Sequence, residues 1–227
     1  MTRQAVDITH QDHPDLAVWL SNLGNRLESR YEHTGKTEDL EEAIQVTRRA
    51  VDVTPQDHLD LAGRLSNLGA KLGYRYERAG KTEDVEEAIQ VVRQAVNITP
   101  QDHPDLAAWL NNLGNQLKSR YERTGKTEDL KEAIQVTRQA VDITPQDHLD
   151  LVAWLSSLGN QLESRYERTG KTGDLEEAIQ VTQQAVDVTP QDHPDLAGRL
   201  SNLGNKFESR YERLGKTEDL EKAIQVV

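Results

Sequence analysis

Apolar residues near the start of the chain fall into two stripes. Leu16, Leu20, Leu23, Leu27 and Tyr31 recur at alternating steps of four and three, which places them on one face of a long helix. Leu40, Ala43, Ile44, Val46 or Thr47, Ala50 and Val51 form a second such stripe. The pattern predicts a helix A over about residues 13–34 and a helix B over about residues 38–53. Asp12 is the expected N-cap of helix A, Pro14 fits its first turn, and Asp15 suits the positive end of the helix dipole. Pro55 stops helix B.

The pair of stripes then repeats. Gly35, Gly80, Gly125, Gly170 and Gly215 are spaced by 45 residues, and each block opens with Gln-Asp-His at Gln11, Gln56, Gln101, Gln146 and Gln191. Blocks one and three are identical at 37 of 45 positions. A fixed period of this length is the mark of a solenoid, in which each unit buries its stripes only against its neighbours. The expected organisation is one solenoid over residues 1–227. It comprises a partial helix B at 2–10, repeats at 11–55, 56–100, 101–145 and 146–190, and a truncated one at 191–227. The sequence starts and stops within a helix B pattern, which leaves two expectations. One is a longer array with an attached effector domain; the other is head-to-tail self-association, which a strict monomer in light scattering at high concentration excludes.

These positions resemble the tetratricopeptide repeat. "WLSNLGNRL" from Trp19 is similar to the family's first helix, with Leu20, Leu23, Gly24 and Leu27 at its bulky, bulky, small and bulky positions. "DLEEAIQVTRRAVDVTP" from Asp39 is similar to its second, with Ala43, Ala50 and Pro55 at matching spacing. The repeat is longer than the family's usual one, and each surplus amounts to about one helical turn. Longer repeats of this sort are similar to those of kinesin light chains and of arrays attached to NTPase or caspase-like domains in fungi and bacteria. The resemblance implies an all-α fold, a right-handed α-solenoid of antiparallel helix pairs forming a tetratricopeptide-like superhelix. It also implies a protein-interaction scaffold that binds an extended peptide in a concave groove lined by helix A. The alternative is an architectural or self-assembling array without a peptide ligand.

Composition narrows the partners. Only 35% of residues are hydrophobic and 4% aromatic, against 29% charged, with a net charge of -12. Nucleic acid and anionic membrane surfaces both select a basic face, so neither is expected as a partner. There is no cysteine, so disulfides and thiolate metal sites are excluded. No apolar run approaches a membrane span, and a soluble cytoplasmic protein is the expectation.

Gly35-Lys36-Thr37 ends like a phosphate-binding loop, yet that motif needs a second glycine five residues earlier, and Arg30 stands there. Glu38, Asp39, Glu41 and Glu42 follow and would repel a phosphate. The segment reads as a hairpin turn, with Gly35 in the left-handed region and Thr37 capping helix B. His13, His58, His103, His148 and His193 occur once per repeat. Stacked helices hold such copies about 10 Å apart, so capping or linker packing is expected rather than a metal site. No nucleophile and base pair is present, and neither an enzyme nor a cofactor is expected.

The helix A face offers the candidate site residues. Asn25, Asn115, Asn160 and Asn205 occupy one phase, broken by Ala70, and Asn22, Asn67, Asn112 and Asn202 another, broken by Ser157. An Asn amide donates and accepts at once, so a row of them can pair with an extended peptide backbone. The resemblance implies a ligand contact for the Asn25 row. The Asn22 row has two readings, ligand contact or ties between neighbouring helices. Trp19, Trp109 and Trp154 share a phase with Arg64 and Arg199, which suggests a partly exposed edge. There Trp is either a binding hot spot or inter-repeat packing with a snorkelling Arg as substitute. A carboxylate clamp, which the family builds from basic residues matching Ser21, Ser66, Asn111, Ser156 and Ser201, has no basic residue here. Glu28, Glu32, Glu163 and Glu208 nearby are acidic, so the expected partner is a neutral or basic protein segment.

Overall fold

The structure, a computed structural model, describes His10 and residues 13–226. The ten helices among the described residues are α1 (Leu16–Thr34), α2 (Thr37–Asp52), α3 (Leu61–Ala79), α4 (Thr82–Ile98), α5 (Leu106–Thr124), α6 (Thr127–Ile143), α7 (Leu151–Thr169), α8 (Thr172–Asp187), α9 (Leu196–Leu214) and α10 (Thr217–Val226). No strand occurs among the described residues. Odd-numbered helices are the A helices and even-numbered ones the B helices, so the fold is a solenoid class of paired helices. The half-helix expected at 2–10 lies, apart from His10, outside the described residues, as does Asp12.

Each pair turns on a glycine. Gly35, Gly80, Gly125, Gly170 and Gly215 have φ between 67° and 69°, which other residues adopt only with strain. The Gly35 N–H donates to the Tyr31 carbonyl at 2.7 Å, closing α1. Thr37 differs from expectation. It is the first residue of α2 and makes no capping bond, while the Oγ1 of Thr34 accepts the Lys36 N–H at 3.3 Å. The hydroxyl that shapes the turn therefore precedes the glycine.

Helix A also begins later than the pattern predicts. The segment before α3 runs through two successive turns, His58 N–H to the Pro55 carbonyl and Leu61 N–H to the His58 carbonyl, both 3.0 Å. Within the second turn the imidazole Nδ1 of His58 accepts the Asp60 N–H at 3.1 Å. His13, His103, His148 and His193 repeat that bond at 3.1 to 3.2 Å. The histidine thus does what an N-capping Asp usually does. Pro14, Leu59, Pro104, Leu149 and Pro194 follow it, where a missing N–H costs nothing.

The chain divides into two compact units, residues 1–120 and 121–227, the division falling inside α5. In the first, Leu40 and Ile44 of α2 pack with Leu68 and Leu72 of α3 and Ala88 of α4. Leu61, Ala62 and Leu65 of α3 meet Ala95 of α4 and Trp109 of α5. In the second, Leu130 and Ile134 of α6 pack with Leu158 and Leu162 of α7 and Ala178 of α8, and Leu175 and Ile179 of α8 with Leu203 and Phe207 of α9. Each such A helix is therefore buried between its own B helix and the preceding one, so neighbouring repeats share one core.

Mid-helix Gly69 allows the closest of these approaches. A Cβ there would lie 2.2 Å from Val92 Cγ2 and 3.3 Å from the Ala88 carbonyl oxygen. Val is stiff at χ1, so the clash cannot be relieved by a rotamer change. Gly69→Ala is expected to destabilise the protein by about 1–3 kcal/mol, despite the better helix propensity of Ala. The shift of the urea midpoint checks it. A gain in stability would mean that α3 and α4 can separate freely.

Polar pairs cross between repeats as well. Lys71, only 1% exposed, donates to Glu28 at 2.8 Å and to Asn25 Oδ1 at 3.1 Å, both one repeat earlier. Lys206 repeats this with Glu163 at 2.7 Å. Between α3 and α5 the same column holds Gln116, whose side chain lies across Gly73, where a Cβ would stand 2.2 Å from its Nε2. Arg48 bonds Glu87, and Arg138 bonds Glu177, between successive B helices.

Candidate functional site

The A helices present the two asparagine rows to solvent. Asn25, Asn115, Asn160 and Asn205 are all exposed, as are Asn22, Asn67 and Asn202, while Asn112 is half-buried. Two of the amides are engaged by neighbouring repeats. Asn25 accepts from Lys71, and Asn112 donates to Ser66 Oγ at 3.3 Å. The amide groups of the other six make no hydrogen bond to a described residue. In the first unit Asn25 and Asn112 thus tie neighbouring helices, a tie expected only for the Asn112 row, while the amides of Asn22, Asn67 and Asn115 are left free.

Three repeats converge on one groove of the first unit, about 300 Å³ in volume. Asn22 comes from α1, Asn67 and the Arg64 side chain from α3, and Trp109 from α5. Leu59, 91% exposed at the entry to α3, stands on its rim. The groove thus combines unpaired amides with apolar surface, the mixture a ligand site needs.

The tryptophans are more buried than a shared edge position predicts. Trp109 is 6% and Trp154 9% exposed, and only Trp19 is half-buried. Trp109 stacks on His103 with ring centroids 4.9 Å apart, and Trp19 tilts against His13 at 4.5 Å. Arg64, in the same column, is buried too. Its guanidinium donates to Thr54 Oγ1 at 2.7 Å and to the Asp60 carboxylate at 3.0 Å. Arg199 donates in the same way to Thr189 Oγ1 at 2.8 Å. Two hydrogen-bond acceptors explain how a column can hold both Trp and Arg away from water.

A second recess of about 160 Å³ lies between α3 and α5, lined by Ala70, Gly73, Tyr74, Glu77, Asn112 and Asn115 together with Gln116. Partial burial, and the charges of Glu28, Glu32 and Glu77, push the Tyr74 phenol above its ordinary pKa. Sequence reasoning did not single out Tyr74. The signal was present: the other four repeats have Ser29, Ser119, Ser164 and Ser209 in that column. In the second unit a cleft of about 480 Å³ opens at the helix turns, with Lys131, Arg168 and Lys171 on its walls.

The histidines act within their own turns, and no cluster of three metal-ligating residues occurs among the described ones. No helix there is long and apolar enough to cross a membrane.

The tetratricopeptide repeat profile matches the chain four times, over residues 16–60, 61–105, 106–150 and 151–195. No curated protein sequence matches it significantly. Among solved structures it is similar to the nearly identical TPR-like repeats of a putative kinesin light chain from Podospora anserina, with a TM-score of 0.65, 19% identity and coverage of 95% of this chain and 96% of that one. MamA is similar at a TM-score of 0.62 and 14% identity, covering 94% and 93%. YrrB, a TPR protein with an unusual peptide-binding site, is similar at 0.59 and 20% identity, covering 98% and 90%. At these identities the likeness concerns the fold.

Proposed function

Because the chain belongs to the tetratricopeptide repeat family, we propose that it serves as a protein-interaction scaffold whose A helices bind an extended segment of a partner. The observation that carries this reading is the convergence of Asn22, Asn67 and Trp109, from three successive repeats, on one groove. Free Asn amides spaced along such a groove can donate to peptide carbonyls and accept from peptide N–H groups, so they hold a backbone whatever its side chains. Leu59, exposed on the rim, supplies apolar surface for an anchoring side chain, with the small exposed part of Trp109 beside it. With a net charge of -12, the protein favours basic segments, tolerates neutral ones and repels acidic ones. The peptide-binding site of the similarly folded YrrB is a supporting parallel.

A peptide array probed with wild type and with the Asn22→Ala/Asn67→Ala variant tests the reading. Loss of two free amides is expected to weaken binding about tenfold or more, at roughly 1 kcal/mol for each net hydrogen bond. Equal binding by both proteins, or none by wild type, counts against the groove.

A further inference from the structure

Repeat two departs from the other copies at three positions on one face of α3. Ala70 stands where four repeats have Asn, Gly73 where they have Glu or Lys, and Tyr74 where they have Ser. At spacings of three and four residues these positions are neighbours on a helix surface. The first two changes remove side chains and the third adds a ring, and all three line the recess between α3 and α5. Gly73 leaves the space that the Gln116 side chain occupies, and Ala70, Gln116, Tyr74 and Asn115 line the recess around it.

Glu28, Glu32 and Glu77 all act on the Tyr74 phenol. Lys71 occupies Glu28, but Glu32 and Glu77 are exposed and have no cationic partner among the described residues. Tyr74 itself is 42% exposed, and no described guanidinium or ammonium lies over it. Glu77 lines the recess with Tyr74, and an aromatic face beside an unpaired carboxylate attracts an organic cation through both the ring quadrupole and the charge. An alkyl stem beneath that cation would rest on Ala70.

We infer that the recess bounded by Ala70, Gly73 and Tyr74 is a specificity pocket for one Lys or Arg side chain of the bound segment, with Tyr74 against the cation and Glu32 and Glu77 as its counter-charges. The inference rests on the groove reading for the backbone of that segment, but the pocket is a separate place with separate residues. It selects which segments bind, whereas Asn22 and Asn67 hold any backbone.

Two titrations test it. In the first, N-acetyl-lysine N-methylamide and its norleucine counterpart are added to the full chain while NMR signals of Gly73, Tyr74 and Asn115 are followed. The lysine compound is expected to give saturable shifts and the norleucine compound none. Tyr74→Ser, which installs the residue of the other four repeats and so preserves the fold, is expected to weaken the lysine response about tenfold. Glu32→Gln/Glu77→Gln is expected to weaken it by a similar factor. Equal responses to the two compounds, or an unchanged response in Tyr74→Ser, overturn the pocket.

In the second, the peptide array is probed with wild type and Tyr74→Ser. Wild type is expected to select peptides bearing Lys or Arg, and the variant to lose that selection while still binding backbone. Binding peptides that lack a basic residue and are indifferent to Tyr74→Ser overturn the pocket but leave the groove intact. A saturable lysine response without any peptide binding does the reverse.

Discussion

Arg75→Ala is expected to lower the unfolding free energy by about 3–5 kcal/mol. The guanidinium grips Asp84 with two bonds, Nε to Oδ2 at 2.9 Å and Nη2 to Oδ1 at 2.7 Å. Asp84 is only 4% exposed, so removing the Arg leaves a carboxylate without either counter-charge or water. The loss of the bond itself is the smaller part of the effect. Arg75→Ala/Asp84→Ala should therefore be more stable than Arg75→Ala alone, an outcome that urea denaturation of the four proteins in the cycle measures. A loss below about 1 kcal/mol, the range of an exposed pair, would show that Asp84 reaches solvent. The same clamp recurs as Arg30 with Asp39, Arg165 with Asp174 and Arg210 with Asp219.

The last of these clamps also fixes the sign of one pH effect. The hydrogen bond from Arg210, with its charge, holds the Asp219 carboxyl below the ordinary carboxylate range. A depressed folded-state pKa contributes stability that is complete above the unfolded value, about 3.9, and is lost as pH falls through the folded value. Stability is thus expected to decline with acid below about pH 4, with a shallower decline in Asp219→Asn. A steeper one would contradict the assignment.

Leu72→Ala should cost about 2–5 kcal/mol. Leu72 is fully buried and packs with Leu40 and Ile44 of the preceding B helix and Leu68 of its own helix. Truncation opens a cavity at a seam between two repeats rather than within one. Leu23, half-buried on α1, gives the comparison, since its truncation removes less area from the core. A cost for Leu72→Ala no larger than that for Leu23→Ala would mean that α2 and α3 collapse to fill the gap. Thermal or urea unfolding distinguishes the two outcomes.

The helix pairs were legible because their cause is periodic. The stripe from Leu16 to Leu27 and the glycine at Gly35 depend only on residues within one or two turns, and both appear where the spacing puts them. Capping by the histidines was legible, but the start of helix A was not, because Pro14 and Asp15 read as its first turn where the chain makes a separate turn closed on the His13 carbonyl. The burial of Lys71 and Lys206 was hidden for a different reason. Their column also holds Arg26, Gln116 and Gln161 and reads as a solvated face. What lets a Lys enter is a Glu supplied by the preceding A helix, Glu28 or Glu163, so the information lies in pairs of distant positions. The candidate site was half visible. The Asn rows stand out because they repeat, whereas Tyr74, Ala70 and Gly73 matter because they do not.

The inter-repeat pairs also bear on how such a chain avoids misfolding. Blocks that agree at 37 of 45 positions have nearly interchangeable apolar seams, so the nascent chain could stack a repeat on the wrong neighbour, a slip of one whole period. The polar pairs are less interchangeable. Lys206 belongs with Glu163; set against α3 it would face Gly73 and be buried without a counter-charge, at a cost of about 3–5 kcal/mol. Lys71, matched to Glu28, would meet the same fate opposite another lysine such as Lys118. Scattered single-residue differences thus penalise some wrong stackings, those that set a buried Lys against Gly73 or Lys118, and making the copies more alike would remove that penalty.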